Sequence, residues 1–402
     1  MEQVNLIFIG SHVSEDNAGS PRQERFINRA LQCGFLVTYI KPSGSNVGSY
    51  NFESIKSFNS WKLDRQPKVY KGSISSFRYR NYLLPFKYIF LLDMFGSGFF
   101  RTILYLFRNR YLFKTNYKLV VSCPSFELAL AVYVYSLLIN HLKFTVDMRD
   151  AWAYHRSLRT YKGLRILVER IVLNRACRVV TVSKYLKEEF EFRHSVFVDL
   201  LYNVNIERSN YNLHGSLEVT SFNRKYINIC YFGSIPRNFY NLHEFCKGLQ
   251  LYFESESKQL KFHFYGPCEE LKTVLRSYPL IEHNFVFKYS ISHRDALIVM
   301  QTCDVVLFLG YNYEKNAGMV STKIFEYFNL KLKILAFGVR EDSDLEFLIF
   351  NVCGKRVLIN DSQEFFIYLQ DALEDLEKLP VSTNREFLVK LDEEYGRFFH
   401  SL

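Results

Sequence analysis

The sequence predicts an α/β protein made of two Rossmann-like, doubly wound halves. Three observations carry that expectation. Apolar runs of strand length alternate with helical segments along most of the chain, and glycines or small polar residues follow many of the runs. The alternation lapses over the polar, aperiodic residues 203–225 and then resumes. A chain of 402 residues also exceeds one ordinary core and suits two. The expected division is residues 1–205, residues 206–383 and a terminal helix within 384–402.

In the first half, residues 4–9 form an apolar strand that stops at Gly10. The polar loop from Ser11 to Ser20 leads into a helix opening at Pro21, a residue suited to a first turn. Phe26, Ile27, Ala30 and Leu31 give this helix its apolar face, Gly34 closes it, and 35–40 is the next strand. Asn17-Ala18-Gly19-Ser20 can cradle an anion, but without G-x-G-x-x-G a dinucleotide fingerprint is not supported. Residues 41–80 are irregular. Further strands are expected at 118–122, 143–149, 178–182 and 196–202, with helices opening at Pro124, running over 161–177, and starting from an N-cap at Ser183.

The second half repeats the pattern. Its strands are expected at 226–232, 261–265, 284–287, 304–309, 333–336 and 356–359. Its helices lie near 239–253, 268–277, 293–302, 321–330 and 362–376, before the terminal helix over 384–401.

Eight cysteines without a C-x-x-C pair argue against a zinc site or disulfide framework and for a reducing cytosol. A strand-like start leaves no secretory signal in view. Charge is uneven: residues 1–200 hold 29 basic and 15 acidic side chains, the remainder 22 and 26. Within 61–118, twelve basic residues meet two acidic ones, Asp64 and Asp93. That excess implies an anionic partner, either a membrane surface, a phosphorylated lipid or nucleic acid. Nucleic acid is the weaker fit, because the basic residues are mixed with apolar ones. Residues 82–113 are dense in aromatics, but Asp93, Gly96, Gly98 and Arg101 break the run of about 20 apolar residues that a membrane span needs. The segment reads as a helix with an apolar face and basic rim lying on an anionic bilayer, or as a core helix with solvated Arg and Lys.

Ligands of doubly wound sheets bind beyond the carboxyl ends of strands. Those ends present Gly10, His12, Gly19 and Ser20; Arg149 and Asp150; Ser183 and Lys184; Gly233, Ser234 and Arg237; Gly266; and the stretch from Gly310 to Gly318. The run from Gly318 through Ser321, Thr322 and Lys323 to Glu326 reads as loop then helix, with free backbone N–H groups where an anion is stabilised. Glu326, further along the helix, can accept hydrogen bonds from vicinal hydroxyls such as those of a ribose. A surface Glu on an ordinary helix reads equally well. Lys323 either complements a diphosphate or pairs with Glu326 at i,i+3. Arg237, after the shaped turn Gly233-Ser234-Ile235-Pro236 and before a helix, is a phosphate ligand by position. Asp150, with Arg149 as its orienter, is an acceptor-side polar group or a helix N-cap. His12, His155 and His293 are isolated. Asp342-Ser343-Asp344 reads more readily as a solvated acidic loop or helix start than as a metal pair, so no metal is expected.

An ordered series of motifs then resembles the bacterial family 4 glycosyltransferases of the group 1 type. It runs through Asp147-Met148-Arg149-Asp150-Ala151-Trp152, Glu169 to Cys177, Val179 to Ser183, Tyr202-Asn203, Tyr231-Phe232-Gly233-Ser234, Phe264-Tyr265-Gly266 and Ser321 to Tyr327. The resemblance implies a GT-B fold, with a nucleotide-sugar on the second domain, an acceptor on the first, and a last helix returning to the first. It implies retention of anomeric configuration without a metal or other cofactor. The donor would be UDP- or GDP-linked and the acceptor a lipid-linked glycan or oligosaccharide, in surface polysaccharide (O-antigen or capsule) assembly on the cytoplasmic face of the membrane. By motif, Glu326 would hold the ribose and Arg237 the diphosphate. Gly19 and Ser20 would approach the phosphates from the other side, and Arg149 and Asp150 would sit near the reacting sugar. The chain departs from the family at Gly318, where a first Glu is common, and at Ser234, where a basic residue is common. A nucleotide-sugar 2-epimerase and a non-catalytic partner subunit at the membrane are the competing functions.

Overall fold

A computed structural model of the chain describes residues 4–10, 20–40, 52–55, 97–113, 116–123, 126–139, 142–154, 162–204, 222–255, 259–312 and 318–402. Gly19, His12, His155, most of the basic segment 61–118 and most of the 203–225 linker lie outside the described residues.

The first lobe comprises β1 (Asn5–Ile9), α1 (Ser20–Gln32), β2 (Leu36–Ile40), β3 (Phe52–Ile55), α2 (Ser97–Arg108), β4 (Tyr117–Cys123), α3 (Phe126–Leu138), β5 (Thr145–Met148), α4 (Lys162–Arg175), β6 (Arg178–Thr181), α5 (Lys184–His194) and β7 (Val198–Leu200). They form one sheet in the order β3-β2-β1-β4-β5-β6-β7, parallel apart from the edge strand β3. In β1, Leu6, Ile7, Phe8 and Ile9 are all fully buried, as expected of a central strand covered on both faces.

The second lobe comprises β8 (Ile227–Phe232), α6 (Leu242–Ser255), β9 (Leu260–Tyr265), α7 (Glu269–Leu275), α8 (Pro279–Glu282), β10 (Phe285–Lys288), α9 (His293–Met300), β11 (Val305–Leu309), α10 (Lys323–Asn329), β12 (Ile334–Phe337), α11 (Asp344–Cys353) and α12 (Ser362–Glu374). Its sheet is fully parallel, in the order β10-β9-β8-β11-β12. The chain ends in α13 (Arg385–Ser401).

One local expectation is corrected. Residues 356–359 are not a strand: Ile359 makes one antiparallel bridge to Val339, beyond the end of β12, and the pairing goes no further. The helix expected near 268–277 is present as α7, and a further short helix, α8, follows it with Pro279 at a first-turn position. In the 82–113 region the described helix is α2. It buries Phe99, Tyr105 and Leu106 but leaves Phe100, Leu104 and Phe107 exposed. Among the described residues no helix is long and apolar enough to cross a membrane.

α13 joins the two cores. Leu388 lies in the core of the second lobe, whereas Tyr395, Phe398 and Phe399 pack edge-on around Phe26 of α1. Arg25 and Arg29 of α1 ion-pair with Asp392. Arg22 is fully enclosed. It donates to Asp147 at 2.6 Å, to the Leu201 carbonyl at 2.7 Å and to the Tyr395 hydroxyl at 2.9 Å. Asp147 takes a further bond from Ser122 at 2.9 Å, so the buried charge is paired and hydrogen-bonded, as burial requires.

Candidate active site

The site grows from the carboxyl ends of β8 and β9. Gly233 (φ 117°) and Gly266 (φ 134°) follow these strands in a region that side chains avoid. A Cβ on Gly266 would lie 2.6 Å from the Gly233 carbonyl oxygen, so the two turns are in direct backbone contact. Lys323, the first residue of α10, lays its side chain over this crossing. Its amine donates to the Tyr231 hydroxyl at 3.2 Å and lies 4.5 Å from the centre of that ring. Burial brings the amine down to about 8, against partial opposition from Glu326 and Cys268.

Glu326 lies one turn along α10. Its partner is not Lys323 but His293, the first residue of α9, whose Nε2 is 2.8 Å from Glu326 Oε1. The Tyr231 hydroxyl donates in turn to Tyr240 at 3.3 Å, and Tyr311, which follows β11, stacks on Tyr240 at 5.4 Å. Burial pushes the Tyr311 phenol up. Bonds to Ser321 and Tyr240 oppose that, and the charge of Asp150 from the first lobe adds to it. Asp150 thus lies near Tyr311 from the end of β5, and it and Arg149 are both half-buried.

The lobes meet beside this line. Gly318 (φ 82°) packs on α5, where a Cβ would lie 2.7 Å from Tyr185 Cδ1 and 2.9 Å from Leu186 Cγ. It therefore serves a contact between lobes, and a glutamate there would not fit this arrangement. Asp344 also reaches across. Its carboxylate accepts from the backbone N–H groups of Lys184 (2.6 Å) and Tyr185 (3.2 Å) and from the Tyr202 hydroxyl (2.6 Å). It is a buried cap on the opposite lobe's helix, so of the two readings of Asp342-Ser343-Asp344 the solvated one fails at Asp344, whereas the helix start holds: Asp344 opens α11 and Ser343 caps it. A cavity of about 60 Å³ remains between the lobes, lined by Tyr185, Tyr311, Gly318, Ser321 and Arg340 among others.

The remaining expected residues are more scattered. Ser234 is exposed beside Gly233, and Thr322 precedes α10 without a side-chain cap bond. Ser20 starts α1. Arg237 is exposed in the turn before α6 rather than at the helix start, and it has no partner among the described residues. Among the described residues no group of three His, Cys, Asp or Glu side chains converges as a metal site. Sequence reasoning set His293 aside as isolated, whereas it pairs with Glu326; it covered Tyr311 only within the stretch from Gly310 to Gly318 and did not single out Tyr240. His293 was within reach, because the carboxyl end of β10 leads through a short turn to Ser292 and His293.

No family model and no curated protein sequence matches the chain. Solved structures do. The sucrose-phosphate synthase of Thermosynechococcus elongatus aligns with all of this chain and 95% of its own, at 11% identity and a TM-score of 0.59. HepE of Anabaena, solved with UDP-glucose, aligns over the whole of both chains at 11% identity and a TM-score of 0.58. A glycosyltransferase of Rickettsia africae covers all of this chain and 94% of its own, at 11% identity and a TM-score of 0.55. The fold is GT-B. At such identities the likeness speaks for architecture, and the chemistry rests on this chain's own residues.

Proposed function

We propose that the protein is a glycosyltransferase, of the family 4 type, that moves a hexose from a UDP- or GDP-linked donor to a glycan acceptor. The observation that carries this reading is the Lys323 amine held over the Gly233–Gly266 crossing, one turn from the Glu326 carboxylate, with Asp150 of the first lobe near enough to Tyr311 to act on its phenol. A cation beside strand-end backbone suits a diphosphate, a carboxylate beyond it suits a ribose diol, and an acidic group across the cleft suits the sugar or acceptor end. HepE, of like fold, was solved with UDP-glucose, which supports the donor class.

In this reading catalysis is electrostatic. Lys323, with Arg237 swinging in from its exposed turn, meets the charge that develops on the leaving diphosphate. The lobes hold the acceptor hydroxyl against the sugar, with Asp150 and Arg149 at the acceptor side. Retention of configuration, independence of metal and a role in O-antigen or capsule assembly belong to the same proposal. So does a lipid-linked acceptor at the cytoplasmic membrane face. The exposed Phe100, Leu104 and Phe107 of α2, with Arg108 and Arg110 exposed nearby, support contact with anionic lipid.

The test is isothermal calorimetry of the full chain with UDP- and GDP-sugars, followed by transfer assays with extracted lipid-linked glycans. Micromolar binding of one donor and product formation are expected; no binding of any donor would end the proposal. Gly318, where the family commonly carries a glutamate, favours a second reading, a non-catalytic partner subunit. Glycan assembly that persists in cells carrying Glu326→Ala would support it.

A further inference from the structure

We infer that His293 is a positioning residue that fixes the Glu326 carboxylate for a ribose diol and so sets the preference for ribonucleotide over deoxyribonucleotide donors. The inference rests on the donor-site reading of Glu326 given above.

The two residues come from different parts of the sheet. Glu326 stands on the helix between β11 and β12, whereas His293 begins the helix after β10, the strand at the opposite edge. They meet over the carboxyl ends of the strands, on the same side as the Lys323 amine. The backbone at His293 is anchored, because Ser292 caps α9 by accepting from the Asp295 N–H at 3.1 Å. The imidazole is therefore delivered from a fixed helix start, whereas Glu326 alone would be a flexible side chain with three rotatable bonds.

The contact has little to offer as a stability element. The side chains are 37% and 21% exposed, and polar pairs in such solvated settings contribute little to stability. Its geometry has a clearer use. A bond of 2.8 Å from Nε2–H to Oε1 holds the plane of the carboxylate and leaves Oε2, with the second lone pair of Oε1, as acceptors. Two vicinal hydroxyls need that pair of acceptors in a fixed plane. A carboxylate ordered in advance does not lose its rotamer freedom on binding. A 2′-deoxyribose offers one hydroxyl fewer and gains less from the ordering. The histidine thereby acts on discrimination more than on overall affinity.

The experiment takes whichever of UDP, GDP and ADP binds the full-length protein best, with its 2′-deoxy counterpart, and measures both affinities by calorimetry for wild type, His293→Ala, His293→Gln and Glu326→Ala. His293→Ala is expected to weaken the ribonucleotide about 2- to 10-fold, the range for ordering one flexible side chain, and to leave the deoxyribonucleotide nearly unchanged. His293→Gln places an amide N–H at similar reach and restores the wild-type ratio, which a loss of bulk or folding would not do. Glu326→Ala removes the preference altogether. A wild-type ratio in His293→Ala, or equal weakening of both nucleotides, overturns the role of His293 and leaves the donor site standing. A wild-type protein that binds no nucleoside diphosphate overturns the donor-site reading instead, and the role of His293 with it.

Discussion

At the scale of single residues, the Lys323 amine is the most consequential group. Burial beside Tyr231 brings it down to about 8, so it is charged at neutral pH and loses that charge as pH rises through about 8. Binding of a nucleotide-sugar is expected to hold steady from pH 6.5 to 7.5 and to weaken above 8. Lys323→Met should bind about tenfold more weakly or worse and show no such fall. Calorimetry with UDP-glucose, whose diphosphate diester does not titrate in this range, reads the effect cleanly. The sign for stability is opposite. A lysine whose amine is depressed in the folded state carries fewer protons there than in the unfolded chain between about 8 and its ordinary 10.5, so this group adds stability as pH rises across that window. The sequence displayed Lys323 and Glu326 and left Lys323 either a diphosphate role or an i,i+3 pair with Glu326. The observed partner of Glu326 lies 33 residues away.

At the scale of elements, α5 is capped twice: by its own Ser183, which accepts from Leu186 N at 3.2 Å, and by Asp344 of the other lobe. Asp344→Ala would leave two helix-start N–H groups and the Tyr202 hydroxyl without their acceptor in a buried place. A loss of about 2–4 kcal/mol is expected, read as a lowered urea midpoint, because caps and buried bonds to a charged group each contribute on that order. In a double-mutant cycle with Tyr202→Phe the two losses should fall short of additivity. On α2, serine in place of Phe100, the most exposed of its apolar side chains at 62%, is expected to weaken co-sedimentation with vesicles containing anionic lipid while changing the unfolding free energy by no more than about 0.5 kcal/mol. Strands were the legible part at this scale. Runs such as 4–9 and 226–232 are apolar throughout and stop at glycine, as buried parallel strands do. Residues 356–359 carry apolar residues too, but only Ile359 pairs, with Val339 just beyond the end of β12. No local pattern could reveal the Asp344 cap, whose two ends are 160 residues apart.

At the scale of the whole molecule, two lobes of the expected GT-B form face each other, and the residues offered for the site came from strand ends as the architecture dictates. The unforeseen part is the interface. Gly318 seemed a phosphate loop from its neighbours in sequence, yet its conformation answers to Tyr185 and Leu186 in the other lobe. The hydroxyl of Tyr395 ties α13 to the first lobe, donating to the Tyr202 carbonyl at 3.0 Å and accepting from Arg22 at 2.9 Å. Tyr395→Phe would deprive both of a partner inside the core, and a destabilisation of about 1–3 kcal/mol is expected in chemical denaturation.

The placement of α13 carries a consequence for synthesis. Phe26 near the beginning of the chain keeps water out only with Tyr395, Phe398 and Phe399 around it. While the ribosome is still making the second lobe, the front of α1 therefore stays wet and adhesive, and the half translated first is the half completed last.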